Sequence, residues 1–559
     1  MPVINFTYKE LYKQLGKTLE NEELINILPM ISSDVEGYTD EEVKVEFFPN
    51  RPDYYSIEGI VRSLKGYLEI ETGLPEYAIK ETKQTITVDD KLENIRPYVA
   101  TCLIKGITID EEELVNLMEF QEHLHWVIGR DRKKVAIGIH DLDKVTGPFY
   151  YKAGKPDEDK FIALDSQEEL TLRQILETHD KGKKYSHLLE DKEYYPLIVD
   201  SENHIMSMPP IINSDKTKLT TETTNLFIDV TGTDLNAVTN TLNIIASNLA
   251  EHENVTIEEM TVEYLYHENI KYPDFKPQTI EVHTSTASQY IGMPLTAEKI
   301  VQTLEKTRFK AEKIDEELVI VTVPRYRIDI LHEVDIIENI ALGYGFNELP
   351  ADLPNFATVA QPDPKREFDK TLEQIMIGLG FTEIKSLMLT SEEQHYTKLG
   401  KDVEKDRVTV AQPITQDRTM IRKSLVNSLL EFLQNNKHEE LPQKIFEIGD
   451  VVYIDETAET KMKTVKKLAG VEISSNANLT TIKSYIESII SNLGFNILLE
   501  DYEDSIFIKG RSAKFNVEAM DEKTPFTLSG YFGEVHPQIL TNFELEYPVI
   551  LLELEFKQN

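Results

Sequence analysis

The chain is 559 residues long, 40% apolar and 28% charged, with a formal net charge of −39. That length predicts several domains of about 100–200 residues each. So acidic a balance argues against a general nucleic-acid binder, and the single cysteine, Cys102, excludes an internal disulfide framework and a cysteine-built zinc site.

No apolar run approaches the about 18–20 residues that a membrane helix needs, and the start, MPVINFTYKELYK, lacks the basic and apolar stretches of a signal peptide. No membrane partner and a cytoplasmic location are therefore expected. The densest positive cluster is RDRKK, Arg130 to Lys134, which fits either a solvated basic turn or a local phosphate contact.

Residues 1–75 form the first predicted unit, an α/β domain. Val43, Val45 and Phe47 alternate as a strand, PNRPD reads as a turn, and Ser56 is placed to cap a helix striped with Ile57, Ile60, Val61 and Leu64. Residues 76–267 read as a mixed α/β region containing GRDRKKVAIGIHDLDK, YYPLIVD, SMPPIIN and FIDVTGTD. A helix after Gly232 carries Val238, Leu242, Ile245 and Leu249. His123, His125 and His140 invite a metal reading but have neither nearby cysteines nor a helical i, i+4 histidine pair.

Residues 268–350 predict a compact unit: a helix near Thr296, the alternating strand LVIVTV, a break at Pro324, and a short helix ended by Gly343 and Gly345. Asp329 precedes that helix. Asp335 and Glu338, three apart, share one of its faces, with Asn339 beside them. Such an oxygen-only set suits Mg²⁺, and it equally suits an acidic first turn complementing the helix macrodipole. Residues 351–559 open with a proline-rich linker, ADLPNFATVAQPDP. An amphipathic helix through Phe368, Leu372, Ile375, Met376 and Leu379 follows, and then strand-rich segments that suggest an antiparallel sheet with helices.

Four separated motifs, in order, resemble one family from end to end. They are NRPDxxSxxGxxR, GRDRKKVAIGIHDLDK, the SMPPIIN and FIDVT pair, and PxxRxDI with VDxxE and AxGYGF. The family is the phenylalanyl-tRNA synthetase β subunit, in its shorter archaeal and eukaryotic cytosolic form. The resemblance implies an α+β multidomain chain: an N-terminal α/β domain, a B3/B4 editing-like domain, a B5 winged-helix-like domain, and a C-terminal class II synthetase-like domain that has lost catalysis.

The same resemblance implies an α₂β₂ heterotetramer with a catalytic α subunit, action on the phenylalanine tRNA, and ATP-dependent ligation on α. In β it implies hydrolysis of mischarged tyrosyl-tRNA. Its editing residues would be Ser207, Asn213, Asp229 and Thr231, although short polar residues beside prolines and strand ends also make ordinary turns. Its Mg²⁺ ligands would be Asp329, Asp335, Glu338 and Asn339, the last an amide where the family carries an acid. A tRNA-binding protein that kept the scaffold without the chemistry is the rival reading. The loss of synthesis is legible independently, since no GxGxER element and only one arginine, Arg511, follow Arg422.

Overall fold

A computed structural model describes residues 2–351, 353, 356, 358–519 and 526–558, which cluster into two compact units, Met1–Leu353 and Pro354–Asn559. Part of the expected proline-rich linker (Asp352, Pro354, Asn355 and Ala357) lies outside the described residues.

The first unit begins with a three-stranded antiparallel sheet. The alternating strand Glu42–Phe47 lies at its centre, between Val3–Thr7 and Ser33–Tyr38. Val43, Val45 and Phe47 are fully buried, as alternation requires of a one-faced sheet. The NRPD turn proves to be a buried polar lock. Arg51 forks onto Asp53 at 2.9 and 2.8 Å, and Arg62 reaches Asp53 at 3.5 Å and the Asn248 Oδ1 at 2.9 Å. Asn248 Nδ2 in turn donates to the Asp53 carbonyl and to Ser56 Oγ, both at 2.9 Å. Ser56 stands at the N-cap of helix Ile57–Tyr67, yet makes no side-chain cap bond to it. Its hydroxyl ties the first segment to helix Leu235–Leu249 instead. Gly59 is needed for that approach, because a Cβ there would stand 1.7 Å from the Asp53 carbonyl oxygen.

Glu10 is buried on the same side, where Asn116 Nδ2 donates to its Oε1 at 2.8 Å. Burial first, then the charges of Glu112 and Glu58, push its carboxyl from the ordinary 4.5 up to about 7. The folded chain thus holds a proton that the unfolded chain has already lost. The stability this contributes is complete below pH 4.5 and is lost as pH rises through 7. Glu10→Gln is expected to raise the unfolding free energy by about 1–3 kcal/mol at pH 8 and to leave it nearly unchanged at pH 4.5. Denaturant titrations at the two pH values measure the difference.

A large mixed sheet follows. Its path runs from Ile212–Asn213 through Ile205–Met208, Tyr195–Val199, Phe149–Gly154, Thr85–Val88, Thr256–Tyr264, Tyr98–Lys105 and Asn225–Gly232 to Val135–Asp141. Helix Leu235–Leu249 packs on the Tyr98–Lys105 and Asn225–Gly232 strands, with Val238, Leu242, Ile245 and Leu249 buried as their spacing predicts. Helix Glu111–Val127, opened by a capping box between Asp110 and Glu113, lies against Val135–Asp141. The first unit ends in a three-stranded antiparallel sheet centred on Leu318–Val323, packed by helices Ala297–Lys306 and Glu333–Tyr344. Only Gly345 ends the last helix. Gly343 lies inside it, where a Cβ would meet the Thr303 carbonyl at 2.1 Å, so it serves close helix packing rather than termination.

The second unit is a seven-stranded sheet in the order Thr382–Glu383, Gln443–Ile454, Met462–Ile473, Val549–Gln558, Phe526–Val535, Phe507–Ala519 and Phe495–Asp501. All neighbours are antiparallel except the first pair. Helices Pro364–Gly378 and Leu479–Asn492 cover one core, into which Leu372 and Met376 are buried, and Val426–Asn435 covers another.

Candidate functional site

One cavity of about 580 Å³ opens in the first unit between helix Glu111–Val127, the strands Val135–Asp141 and Asn225–Gly232, and the turn after Ile205–Met208. Its walls are largely apolar, from Leu117, Met118, Ile137, Ile139, Pro209, Ile211 and Leu219. Ser207, Asn213 and Asp229 converge on it as polar groups. That volume and that mix are typical of a small-molecule or cofactor-sized site.

Register explains the convergence. Ser207 pairs directly with Asn213 across the Ile205–Met208 and Ile212–Asn213 hairpin, so the two side chains emerge on one face. Asp229 pairs with Gly138 on the last two strands of the path, at the other end of the strand order, so the two ends of the sheet meet at the cavity. Ser207 is 2% exposed, and its hydroxyl has no hydrogen-bond partner among the described residues. A buried hydroxyl left bare in this way costs stability unless something in the cavity satisfies it.

Thr231 is the exception among the four expected residues. It does not line the cavity. Its hydroxyl accepts from Arg96 Nε at 2.9 Å and its carbonyl from Arg96 Nη2 at 2.7 Å, while Arg96 Nη1 reaches the carbonyls of Arg132 and Lys133. Burial brings that guanidinium down to about 10. Thr231 is therefore tied into the support beneath the Arg130–Lys134 loop.

The loop itself is unusual. Arg130, Asp131 and Arg132 all have left-handed backbones, with φ of 48°, 54° and 65°, a costly conformation for residues with a Cβ. What holds it is Arg132. Its Nη1 donates to the Ile211 carbonyl at 2.9 Å, its Nη2 bonds Glu122, and its guanidinium stacks 4.7 Å from the Tyr185 ring. Burial would raise the Glu122 carboxyl, but His125, Arg132 and Lys181 outweigh it and hold the group well below the usual carboxylate range. Of the basic cluster, Arg132 is committed to the cavity wall and Lys134 pairs with Asp234 at 3.2 Å. Arg130 and Lys133 remain exposed.

Two histidines that the sequence offered only as metal candidates take other roles here. His140 Nε2 lies 3.0 Å from Asp229 Oδ1, and its Nδ1 lies 2.8 Å from Thr217 Oγ1. Positions 138 and 140 alternate onto one face of their strand, so GIH carried the signal, but only the pairing with Asp229 makes it readable. His125 is buried and accepts from the Ile137 N–H at 2.8 Å, with burial lowering its imidazole to about 4. Neither it nor His140 belongs to a metal cluster, since among the described residues no group of three or more His, Cys, Asp or Glu is placed to hold an ion.

The expected Mg²⁺ ligands do not converge as placed. Arg327 forks onto Asp329 at 2.9 and 2.7 Å, and the same Nη2 donates to Asn339 Oδ1 at 2.9 Å. Asp335 Oδ2 accepts from the Leu331 and His332 N–H groups, closing the helix start, and Glu338 is exposed to solvent while Asn339 is buried. Burial opposes ionisation of Asp329, and the charges of Arg327 and Arg51 more than offset it, keeping its carboxyl below the ordinary value. Two of the three carboxylates, Asp329 and Asp335, are thus taken by an arginine and a capping box, and as placed this donor set does not fit a metal ion. Arg327→Met is expected to cost about 1–3 kcal/mol by removing the fork that satisfies the partly buried Asp329 and by freeing the Asn339 oxygen. A chelator is expected to leave the melting temperature of the wild-type chain within about 1 °C, since Arg327 and the helix-start N–H groups already satisfy Asp329 and Asp335. A Mg²⁺-dependent rise in wild type, absent from Asp335→Ala, would restore the metal reading.

The fold and this cavity place the chain among the subunits of aminoacyl-tRNA synthetases. Three family models match: "B3/4 domain" over residues 118–252, "tRNA synthetase B5 domain" over 280–346, and "Phenylalanyl tRNA synthetase beta chain CLM domain" over 349–556. The phenylalanine–tRNA ligase β subunit of Methanosphaera stadtmanae is 73% identical over 558 residues, covering 100% of both chains. That of Methanocaldococcus jannaschii is 42% identical over 561, again covering 100% of both. The crystal structure of an N-terminal fragment of the Pyrococcus horikoshii β subunit superposes with a TM-score of 0.59 at 37% identity, covering 61% of this chain and 99% of that one. The chain belongs to the phenylalanine–tRNA ligase β-subunit family.

Proposed function

We propose that this chain is the proofreading, non-activating subunit of an ATP-dependent ligase that joins phenylalanine to its tRNA. In this reading it assembles as an α₂β₂ heterotetramer in the cytoplasm, with amino-acid activation on α. Residues 1–75, 76–267, 268–350 and 351–559 act as N-terminal, editing, B5 and inactive synthetase-like domains. Mg²⁺, which the family generally uses in catalysis, accompanies ATP on α rather than the Asp329 cluster.

The observation that carries the editing part is the convergence of Ser207, Asn213 and Asp229 on a cavity with apolar walls. The need is chemical. A hydrophobic synthetic pocket cannot strongly reject an isostere that merely adds a hydroxyl, so discrimination of about 10² requires a second sieve. An aminoacyl ester is already activated, so hydrolysis needs a positioned water and donors for the developing oxyanion. The water oxygen adds to the ester carbonyl, the bond to the ribose oxygen breaks, and that oxygen takes a proton. Asn213 offers an amide N–H and Ser207 a hydroxyl to the oxyanion, while Asp229 offers an acceptor to the water or to a phenolic hydroxyl. Apolar walls from Leu117, Ile137 and Ile211 suit the aromatic ring. The exposed Arg130 and Lys133 at the neighbouring loop suit the tRNA phosphates, with binding that weakens as salt rises.

Purified α–β complex is expected to deacylate tyrosyl-tRNA while leaving phenylalanyl-tRNA largely intact, read by loss of labelled amino acid from acid-precipitable tRNA. Equal survival of both esters would remove the editing function.

A further inference from the structure

We propose that Thr217 and His140 form a buried positioning chain that fixes which Asp229 oxygen serves the cavity, by holding the His140 proton on Nε2. The inference rests on the editing reading for its consequence, but its geometry stands on hydrogen bonding alone.

Thr217 Oγ1 has three acceptors in reach: His140 Nδ1 at 2.8 Å, the Ser214 carbonyl at 3.3 Å and the Met206 carbonyl at 3.5 Å. A carboxylate oxygen only accepts, so the ring nitrogen facing Asp229 Oδ1 must carry the N–H, which leaves Nδ1 to accept from the Thr217 hydroxyl. The ring N–H is thus on Nε2, and it points at Asp229 Oδ1, 3.0 Å away. Oδ1 is thereby satisfied. Oδ2 receives no hydrogen bond from the described residues and is the oxygen left for a donor in the cavity that Asp229 lines.

The chain is enclosed. His140 is fully buried, Asp229 and Thr217 are each 1% exposed, and the Phe227 ring lies with its centroid 6.0 Å from that of His140. Gly138 makes the room. A Cβ there would stand 2.5 Å from Asp229 Oδ1 and 2.7 Å from His140 Nε2, so any larger residue would fill the space in which the two meet. This glycine has no left-handed backbone to explain it, and the His140–Asp229 bond does. His140 is a positioning residue, since it acts through Asp229.

The test uses the full α–β complex and single-turnover tyrosyl-tRNA deacylation. H140Q keeps an N–H near the place of Nε2, whereas H140N keeps only a group near Nδ1. H140N is expected to slow the deacylation step about 10–100-fold, the range for removing an orienting partner, with the concentration dependence moving less than about threefold. H140Q is expected to recover most of that loss. T217V is expected to slow the step and T217S to restore it. Equal rates for H140Q and H140N, or an effect confined to apparent affinity, would overturn the proposal.

A second measurement separates this from the editing reading. Magic-angle-spinning NMR of sedimented complex with ¹⁵N-labelled histidine, assigned by the signal lost in H140Q, is expected to show a protonated Nε2 and a bare Nδ1 that shifts in T217V. The proton on Nδ1 would overturn the chain whatever the deacylation result. A wild-type complex that shows the Nε2 tautomer but clears no tyrosine would overturn the editing consequence and leave the geometry standing.

Discussion

An Asn213→Ala, Asp229→Ala double variant of the α–β complex is expected to clear tyrosine from mischarged tRNA at least about 10²-fold more slowly than wild type, and to charge phenylalanine within about twofold. The first magnitude follows from the loss of a preorganised donor, which alone costs about 10²–10³ in rate at comparable sites. Asn213 presents a side-chain amide on the hairpin face it shares with Ser207, and Asp229 stands across the cavity on a different strand. Removing both takes away a donor for the oxyanion and the acceptor opposite it. The two substitutions lie on short polar side chains at a cavity wall, so neither opens a large void in the core. Charging is expected to be unaffected because the proposed function assigns activation to the α subunit. The product to measure is tyrosyl-tRNA accumulated by the variant when tyrosine is supplied in excess. Unchanged clearance would move the hydrolytic site away from this cavity.

The isolated chain gives background ATP–pyrophosphate exchange with phenylalanine, and adding the α subunit raises the signal at least about 10³-fold, a small part of what enzymes supply over the uncatalysed reaction. The second unit explains the first half. A class II site holds ATP phosphates with arginines free to fork onto them. Here Arg422 is buried and fully engaged: Nη2 to Glu447 Oε1 at 2.8 Å, Nη1 to Ser386 Oγ at 2.6 Å, and Nε to the Asp450 carbonyl at 3.0 Å. Arg511 pairs with Glu534 at 2.6 Å. On the central strands, Lys467 and Glu553 form a buried pair at 3.0 Å. The Ser424 and Tyr531 hydroxyls and the Leu425 N–H also donate to the Glu553 carboxylate. Among the described residues, these two arginines and Lys467 are already paired within the unit. Robust exchange by the isolated chain would contradict the division of labour between the subunits.

Much of the architecture was legible because it depends on local rules. The alternation of Val43, Val45 and Phe47, the strand LVIVTV, the stripe Val238–Leu242–Ile245–Leu249 and the helix begun at Thr296 all appear as their periodicities require. The motif order determined the family by itself. The expectation that Ser207, Asn213 and Asp229 belong together also came from the sequence, through resemblance, because 13 residues (214–226) separate the two motifs and no spacing rule connects them.

What the sequence could not settle was which polar atoms are already spoken for. Ser56, Thr231, Asp329, Asp335 and Asn339 each carry oxygen atoms suited to the roles assigned to them. In the folded chain Asn248 and Arg96 bond the hydroxyls of Ser56 and Thr231, Arg327 holds Asp329 and Asn339, and backbone N–H groups at the helix start take Asp335. The pairing of Asp229 with His140 was hidden for the same reason. Strand register sets it across 89 positions of sequence, and a space left by Gly138 permits it. Residue type and periodicity decide elements because they act within a few residues. A hydrogen bond is decided by whichever partner the tertiary fold brings within about 3 Å, and that partner is as often distant as near.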